Sequence, residues 1–398
     1  MIKEVREKFN KEYSDNKQKE IFDYFHSFPI YKTGFRIAES PIFLDKAFGK
    51  KVLEASESII DQILHGNIVR EDSIPKNLDV PGHSNHFHFL AIDFGICENE
   101  NGEIEPQLIE IQAFPSLFFY QKHLAEQFLK HYNIPDNFSI LPHKKFDGNT
   151  YTQHLKKLII KDYNPQNVVL LDLYTREQKT GIDFALTKEE LGIKPVCITE
   201  VYKENNDLYY IREGVETPIY RIYNRLIFDE LLSHKNLKLN FDITDDVHIS
   251  WVTHPDWFFK ISKIILPLLK HNYVPASYFV NEFPSSEKLE DYVLKPLFSF
   301  AGKGVIIHPT QNDVQQLKNP ENFILQKKKN YAPIFEDLNG EKAKAELRML
   351  YTWMPGEKRP QAQINLVRMT KSDKVNVDHL GLEKIWTGSS IAFFELDA

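Results

Sequence analysis

Two strand-like segments joined by a glycine turn constrain the fold of this chain more than any other feature. They read HFHFLAIDFGI (residues 86–96) and QLIEIQ (residues 107–112). Between them lies Asn101–Gly102, a dipeptide favoured in tight hairpin turns. The sequence therefore predicts an antiparallel hairpin. Pro106 cannot donate to a strand ladder, so a longer loop with a shifted register stays open as an alternative.

Three polar side chains interrupt the apolar pattern of this hairpin. A two-residue loop places Asp93 opposite Glu110, with Gln112 two residues further along the same face. Carboxylates at that distance repel each other unless a cation lies between them, and hard oxygen ligands suit Mg²⁺. The hairpin therefore predicts a magnesium site. The alternative is an exposed face on which these acids are merely solvated.

Three histidines near the hairpin, His83, His86 and His88, resemble a metal cluster in sequence spacing. Strand alternation, however, places His86 and His88 on the face opposite Asp93. We expect them to be ordinary strand residues rather than metal ligands.

Composition sets limits on the class of protein. A chain of 398 residues exceeds the size at which single cores stop growing, so several domains or large insertions are expected. A net charge of -7 with scattered basic residues argues against a nucleic-acid binder. Two cysteines, a charged N-terminus and the lack of a long apolar stretch predict a soluble cytoplasmic protein without a signal peptide or a membrane span.

The periodicity along the chain predicts an α/β (α+β) protein. A helix is expected over residues 44–64, a small α/β unit starts at the buried strand VVLLDL, and a helix is expected from Trp257 through Leu269. Three domains are predicted: 1–165 with N-terminal helices and the hairpin, 166–253 as a small substrate-binding α/β domain, and 254–398 as a nucleotide-binding region.

A second motif, YVLKPLFSFAGKGVIIHP (residues 292–309), places glycines between two strand-like runs. Gly302 and Gly304 would let backbone N–H groups approach phosphate oxygens without interference from a Cβ atom. Lys295, on the leading strand, would add a positive charge. The alternative is an ordinary glycine hairpin with a solvent-exposed lysine.

Together, VLKPLFSFAGKGV and LIEIQAFPSL resemble the ATP-grasp ligases, whose phosphate loop reads KPxxxxxGxGV and whose metal ligands lie in an ExNxxPG-like segment. In that family the ligands normally follow the loop, whereas here Glu110 precedes Lys295. This order resembles the circularly permuted branch that includes eukaryotic glutathione synthetase and, more loosely, glutathionylspermidine synthase. The resemblance implies a circularly permuted ATP-grasp fold with a smaller α/β substrate or lid domain inserted.

The resemblance also implies roles for individual residues. Lys295 matches the lysine on the α and β phosphates, and Lys263, with Lys260 as the fallback, matches the other nucleotide lysine. The flap over the phosphates would comprise Ser299, Gly302, Lys303 and Gly304, and the adenine hinge would comprise Gln326, Lys327 and Lys328.

For the metal, the resemblance implies Asp93, Glu110 and Gln112, although the family carries Asn at the last position. Glu346 and Arg348 match an acid and an arginine near the γ phosphate, and Arg368 would contact an acyl phosphate; surface strand charge is the alternative for both arginines. Candidates to clamp a substrate carboxylate, if they are not ordinary exposed arginines, are Arg176, Arg221 and Arg225.

The resemblance therefore implies an ATP-dependent carboxylate–amine (or thiol) ligase that uses Mg²⁺ and an acyl-phosphate intermediate. Its partners would be small amino acid-like or peptide-like carboxylates and amines, with no nucleic acid or membrane, and it would be a monomer or homodimer. One alternative is an ATP-grasp nucleotide-binding module without ligase activity. Another is a metal-dependent hydrolase built on the histidines, which their placement disfavours.

Overall fold

The computed structural model describes residues 2–234, 236–299, 302–372 and 385–397 and shows a mixed α/β protein. Its helices are α1 (Lys3–Glu12), α2 (Asp15–His26), α3 (Lys46–His65), α4 (Phe118–His131), α5 (Gly148–Ile159), α6 (Gly181–Leu191), α7 (Phe228–Ser233), α8 (Trp257–Lys260) and α9 (Gln311–Gln315).

The strands of the first half are β1 (Ile42–Leu44), β2 (Phe89–Glu98), β3 (Ile104–Gln112), β4 (Phe138–Ser139), β5 (Val168–Asp172), β6 (Lys194–Cys197), β7 (Tyr202–Glu204), β8 (Asp207–Arg212), β9 (Val215–Ile219) and β10 (Arg221–Asn224). Those of the second half are β11 (Ser250–Val252), β12 (Ser277–Phe279), β13 (Tyr292–Pro296), β14 (Ile306–Ile307), β15 (Phe323–Lys327), β16 (Phe335–Glu336), β17 (Lys342–Thr352), β18 (Gln361–Thr370), β19 (Gly388–Ser390) and β20 (Ala392–Glu395).

A central sheet with the order β19-β18-β17-β2-β3 contains the predicted hairpin, and β16 pairs with β17 at its side. Strands β17 and β2 pair antiparallel, so that Arg348 lies opposite Asp93. Strand β18 pairs with β17 so that Arg368 lies opposite Glu346. The central sheet therefore joins two segments that are about 250 residues apart in the chain.

The hairpin register confirms that Asp93 faces Glu110, although the predicted two-residue turn is wrong. The connection spans residues 99–103, where Asn99 and Glu103 form a backbone hydrogen bond of 2.9 Å. Because of this longer loop, the residues paired near the turn are displaced by one position from the predicted register. A β-bulge beside Asp93 and Phe94 then inserts one extra residue on β3, so that Glu110 pairs with Asp93 as predicted.

The glycine motif forms part of a separate antiparallel sheet with the order β12-β15-β13-β14. Strand β13 carries Lys295, and the following turn returns the chain into β14. Gly302 and Gly304 adopt positive φ angles of 72° and 75°. The predicted strand, glycine turn and strand are confirmed at both ends, while Phe300 and Ala301 lie outside the described residues.

Residues 168–252 contribute a parallel sheet with the order β11-β10-β5-β6 and a small antiparallel sheet, β7-β8-β9. Because β5 and β10 are parallel neighbours, their carboxyl ends meet at one edge. Asp172 ends β5 there, and Arg225 directly follows β10 at the same edge.

The helix predicted near residue 44 is confirmed as α3, which Asp45 caps by accepting a hydrogen bond from the Phe48 N–H at 2.9 Å. The continuous helix predicted from Trp257 is wrong. The chain leaves helical geometry at Ile261 and then forms a 3₁₀ segment over Lys263–Leu268 that contains Pro267, which has no N–H to donate. Within the described residues, no helix combines the length and apolarity needed to cross a membrane.

Candidate active site

A cavity of about 550 Å³ opens where three sheets approach one another. They are the central sheet, the sheet β12-β15-β13-β14 that carries the glycine turn (the flap sheet), and the parallel sheet β11-β10-β5-β6 (the middle parallel sheet). Most of the predicted site residues line it: Glu110, Gln112, Arg225, Lys263, Lys295, Gly302, Gln326, Lys327, Lys328, Glu346, Arg348 and Arg368. Three separate parts of the chain therefore supply the walls of one space.

Two buried lysines and one carboxylate form the centre of this cavity. Lys263 Nζ lies 2.7 Å from Glu110 Oε1 and donates to the Ser299 carbonyl at 2.5 Å. Lys295 Nζ donates to the Ile109 carbonyl at 2.9 Å and to Gln326 Oε1 at 2.5 Å. Lys295 therefore lies beside the strand that carries Glu110.

The Lys295 ammonium is in an unusual electrostatic environment. Its side chain is only 7% exposed. Burial is the main cause that lowers the pKa of Lys295 to about 8; Glu110 opposes the shift and the nearby Lys263 adds to it. An anionic ligand that entered the cavity would restore the charged form.

Asp93 lies behind the cavity wall, where two arginines neutralise it. Arg348 donates to it in a bidentate pair, with Nε at 2.5 Å from Oδ1 and Nη2 at 2.6 Å from Oδ2, and Arg368 Nη2 lies 2.5 Å from Oδ2. Burial alone would raise the pKa of the Asp93 carboxyl, but Arg348 and Arg368 outweigh it and hold the pKa below its ordinary value. Repulsion between Asp93 and Glu110 is thus relieved by protein cations.

Glu346 completes this network on the cavity side. It accepts a hydrogen bond from the Tyr331 hydroxyl, and its Oε2 lies 3.0 Å from Arg368 Nη2. Burial raises the pKa of the Glu346 carboxyl, and Arg368 and Tyr331 only partly offset that effect. Arg348 is therefore buried and Arg368 partly buried, and both pair with carboxylates of this network instead of lying on the open surface.

Several predicted site residues lie away from the cavity lining. Arg221 is buried and donates to the carbonyls of Ile159 and Leu158 at 2.8 and 2.9 Å, which ties it to α5. Arg176 is exposed on the loop after β5. The structure therefore does not bring these two arginines to the cavity, whereas Arg225 reaches it.

The predicted flap residues differ in whether their side chains are exposed or buried. Lys303 points outward, with a side chain that is 67% exposed and 3.5 Å from Asp229. Ser299 is buried and contributes its backbone carbonyl to Lys263. Gly304 contributes through its backbone conformation only. Lys260, the fallback for Lys263, is buried beside Trp257 and 4.0 Å from Asp256.

The three histidines do not form one cluster. His83 Nδ1 contacts Asp256, and His83 Nε2 lies 3.3 Å from Asp79. His86 Nε2 contacts the Trp353 carbonyl at 2.8 Å, whereas His88 Nδ1 accepts from the Thr253 N–H at 3.0 Å. Burial lowers the pKa of His88 to about 3, so it is a neutral structural residue. A hydrolase site built on all three histidines is not supported.

The polar residues that line the cavity and that the sequence does not predict include Tyr331, Asp172, Gln178 and Glu230. Asp172 carries a usable signal, because it is the last residue of the apolar run VVLLD and ligands of α/β sheets bind at the carboxyl ends of strands. Tyr331, by contrast, lies in a loop whose sequence gives no periodic pattern.

The flap geometry predicts a specific cost for adding a methyl group at Gly304. A Cβ atom there would lie 2.9 Å from Pro296 Cγ, whereas the same atom at Gly340 (φ 79°) would meet nothing within 4 Å. Both positions carry the strain of a left-handed backbone, about 1–2 kcal/mol for an alanine. We expect Gly304→Ala to lower the free energy of unfolding more than Gly340→Ala, measured by urea denaturation; equal losses would contradict the contact.

No family model matches the sequence, and no curated protein matches it. Among solved structures, a glutathione synthetase-like effector (GSS30) from Globodera pallida, in its apo form, is similar over 97% of this chain and 99% of its own. The two share 11% sequence identity with a TM-score of 0.59. The chain therefore has a glutathione synthetase-like fold.

Proposed function

We propose that the protein is an ATP-dependent ligase that joins a small carboxylate substrate to an amine or thiol through an acyl phosphate. The observation that carries this proposal is the convergence of Lys263, Lys295, Arg348 and Arg368 on one cavity, beside the glycine turn at Gly302. Four cations around one cavity complement the negative charge of a polyphosphate. They would also catalyse phosphoryl transfer, because positioning and electrostatic stabilisation supply most of the catalysis of that reaction.

In the proposed reaction, a substrate carboxylate oxygen attacks the γ phosphorus of ATP, and the bond to the β–γ bridging oxygen breaks to release ADP. The amine then attacks the acyl carbon, phosphate leaves with the bonding electron pair, and the amine loses a proton. Lys263 and Lys295 would hold the phosphates. Arg348 and Arg368 would face the transferred group, since both line the cavity with their guanidinium groups oriented by Asp93.

The donor set in the cavity fits a hard divalent cation. Glu110 Oε1 is paired with Lys263, but the side chain is 18% exposed and lines the cavity, as does the Gln112 amide. Glu110 and Gln112 would hold Mg²⁺ together with phosphate oxygens and water. Asp93 fits less well, because both of its oxygens are engaged by arginines. When bound, Mg²⁺ would neutralise phosphate charge.

An ADP-release assay tests the proposal. Purified protein would be incubated with ATP and Mg²⁺ in the presence of pooled amino acids, small peptides and amines. Substrate-dependent ADP formation, with acyl phosphate trapped by hydroxylamine, is the expected result. A nucleotide-binding module without ligase activity is the second candidate, since the similar solved structure is an effector. ATP binding without turnover in every pool would favour that module.

Replacing Glu110 with Gln tests the metal assignment, because it keeps the side-chain shape and removes the charge. We expect the Mg²⁺-dependent part of ATP binding to weaken at least tenfold, which would reduce the stabilisation of the folded state by MgATP by about 1.4 kcal/mol. Stability without ligand should also fall, since Lys263 loses its counter-ion at 2.7 Å. Thermal melting with and without MgATP measures both effects.

The matched control is Glu98→Gln at the exposed end of the same hairpin, which should melt and bind like the unmodified protein. A Glu110→Gln variant that kept the full MgATP-induced increase in Tm would show that Glu110 does not bind the metal.

A further inference from the structure

We propose that Asp172 and Glu230 form a subsite for a primary ammonium group, in the part of the cavity that the middle parallel sheet and α7 line. This inference rests on the proposed function and names the chemical class of one substrate: an aliphatic molecule with an ammonium at its non-reacting end. Both side chains line the same cavity as Lys263 and Lys295.

The first argument is the position of Asp172. It ends β5, at the carboxyl edge of the middle parallel sheet, and is only 4% exposed. Its Oδ1 accepts one hydrogen bond, from the Leu173 N–H at 2.7 Å. Among the described residues no lysine, arginine or histidine lies in ion-pair contact with it. Asp172 is therefore a buried acid that lines the cavity and has no ion-pair partner among the described residues, with Arg225 as the nearby cation that acts on its pKa.

Glu230 is held beside this acid by a single amide. Gln178 Nε2 donates to the Leu173 carbonyl at 2.8 Å and to Glu230 Oε1 at 2.7 Å. The Gln178 amide thus links the Leu173 carbonyl, next to Asp172, to the Glu230 carboxylate on α7. Glu230 receives no contact from a lysine or arginine within the described ranges. The two acids are fixed near each other, on the same wall.

The basic groups close to this wall do not cancel its charge. Arg225, the arginine that faces Asp172, is paired with Asp183 at 2.6 Å and stacks on Phe184. Lys179 also lines the cavity, with its side chain exposed to solvent, and Lys303 lies 3.5 Å from Asp229 on α7. His234 acts on Glu230 as well, because it partly offsets the rise of the Glu230 pKa. With both acids ionised, the carboxylates Asp172, Asp183, Asp229 and Glu230 outnumber the cations Lys179, Arg225 and Lys303 around this wall, which therefore carries net negative charge. A ligand with an ammonium group complements this wall.

Protonation supports the same conclusion. Burial raises the pKa of Asp172 well above its ordinary value, with Glu230 adding to the shift and Arg225 opposing it. Burial also raises the pKa of Glu230. Without a ligand, Asp172 therefore holds a proton under conditions in which an exposed aspartate would not. A bound ammonium favours the ionised form, so binding should release a proton and strengthen as the pH rises through the pKa of the free site.

Three probes of equal length separate the possibilities: 1,5-diaminopentane, 5-aminopentanoic acid and pentanedioic acid. Calorimetric titration without ATP should show binding of the two ammonium probes and none of pentanedioic acid. Asp172→Asn and Glu230→Gln should each weaken ammonium binding about tenfold or more, because each removes a charged hydrogen-bond acceptor. Titrations in phosphate and in Tris should reveal proton release that Asp172→Asn abolishes.

Glu189→Gln, at an exposed acid on α6, is the matched control and should bind all probes unchanged. Binding of pentanedioic acid alone, or ammonium binding that neither variant weakens, would overturn the subsite. The outcome is independent of the ligase proposal, since the titration contains no nucleotide. Ammonium binding with no ADP release in any pool would sink the proposed reaction and leave the subsite standing.

Discussion

Replacing Lys295 with methionine should lower ATP-dependent turnover by about 100- to 1,000-fold, the usual effect of removing one oriented charge from a site that stabilises developing negative charge. Methionine fills nearly the same space as the lysine stem, so the variant should fold. The ammonium lies between the Ile109 carbonyl and the Gln326 amide. ADP release and the MgATP-induced increase in Tm measure the loss.

The same variant should change how stability depends on pH. The Lys295 ammonium has a pKa of about 8 in the folded protein against 10.5 ordinarily. Between these values the unfolded chain binds more protons than the folded one, so stability of the unliganded protein should rise with pH across this window. In Lys295→Met that contribution to the rise should be absent. Urea denaturation between pH 7 and pH 10.5 would show it.

A lysine on the exposed surface serves as the control for this pair of measurements. Lys318 is solvent-exposed after α9 and does not line the cavity. Lys318→Met should retain turnover and the pH profile. Full turnover in Lys295→Met would instead show that the flap lysine does not contact the nucleotide, and the phosphate site would have to be sought elsewhere.

The hairpin shows how much of the structure local sequence patterns can predict. Strand alternation and a turn dipeptide were enough to predict that Asp93 faces Glu110, and the structure confirms it. The turn itself was predicted wrongly, because the Asn99 side chain accepts from the N–H groups of Asn101 and Glu103 and stabilises a five-residue connection. The bulge beside Asp93 compensates, and nothing in the local sequence specifies a bulge.

What the sequence could not predict depends on contacts between distant segments. Asp93 and Arg348 are neighbours only because β2 and β17 pair, and neither strand carries a signal for the other. Without that pairing, Asp93 looked like a metal ligand close to Glu110. The arginine partners supply the missing cation. Similarly, the end of α8 follows from packing and from Pro267, although the apolar spacing alone suggested an unbroken helix.

The buried Asp93 carboxylate leads to the prediction with the largest effect on stability. Asp93→Asn should lower the free energy of unfolding by about 3–5 kcal/mol, since it leaves Arg348 and Arg368 facing each other without their shared anion. That is a large part of the roughly 5–15 kcal/mol that stabilises a typical protein. Urea denaturation at neutral pH measures the loss.

The dependence of stability on acidic pH provides a second test of the Asp93 carboxylate. Because the arginines hold the Asp93 pKa below its ordinary 3.8, its contribution to stability is present above that value and is lost as the pH falls through the folded-state pKa. Asp93→Asn should lack this part of the acid transition.

A double variant separates the loss of the ion pair from a general loss of packing. Asp93→Asn leaves Arg348 without a carboxylate partner, whereas Arg368 keeps Glu346 at 3.0 Å. In Asp93→Asn/Arg348→Met the unpaired guanidinium group is gone, so the loss should be clearly smaller than the sum of the two single losses, by about 1–3 kcal/mol. Strictly additive losses would mean that Asp93 and Arg348 do not interact in solution. Asp93 would then be free to turn towards Glu110 and to bind magnesium with it, as the hairpin pattern predicts.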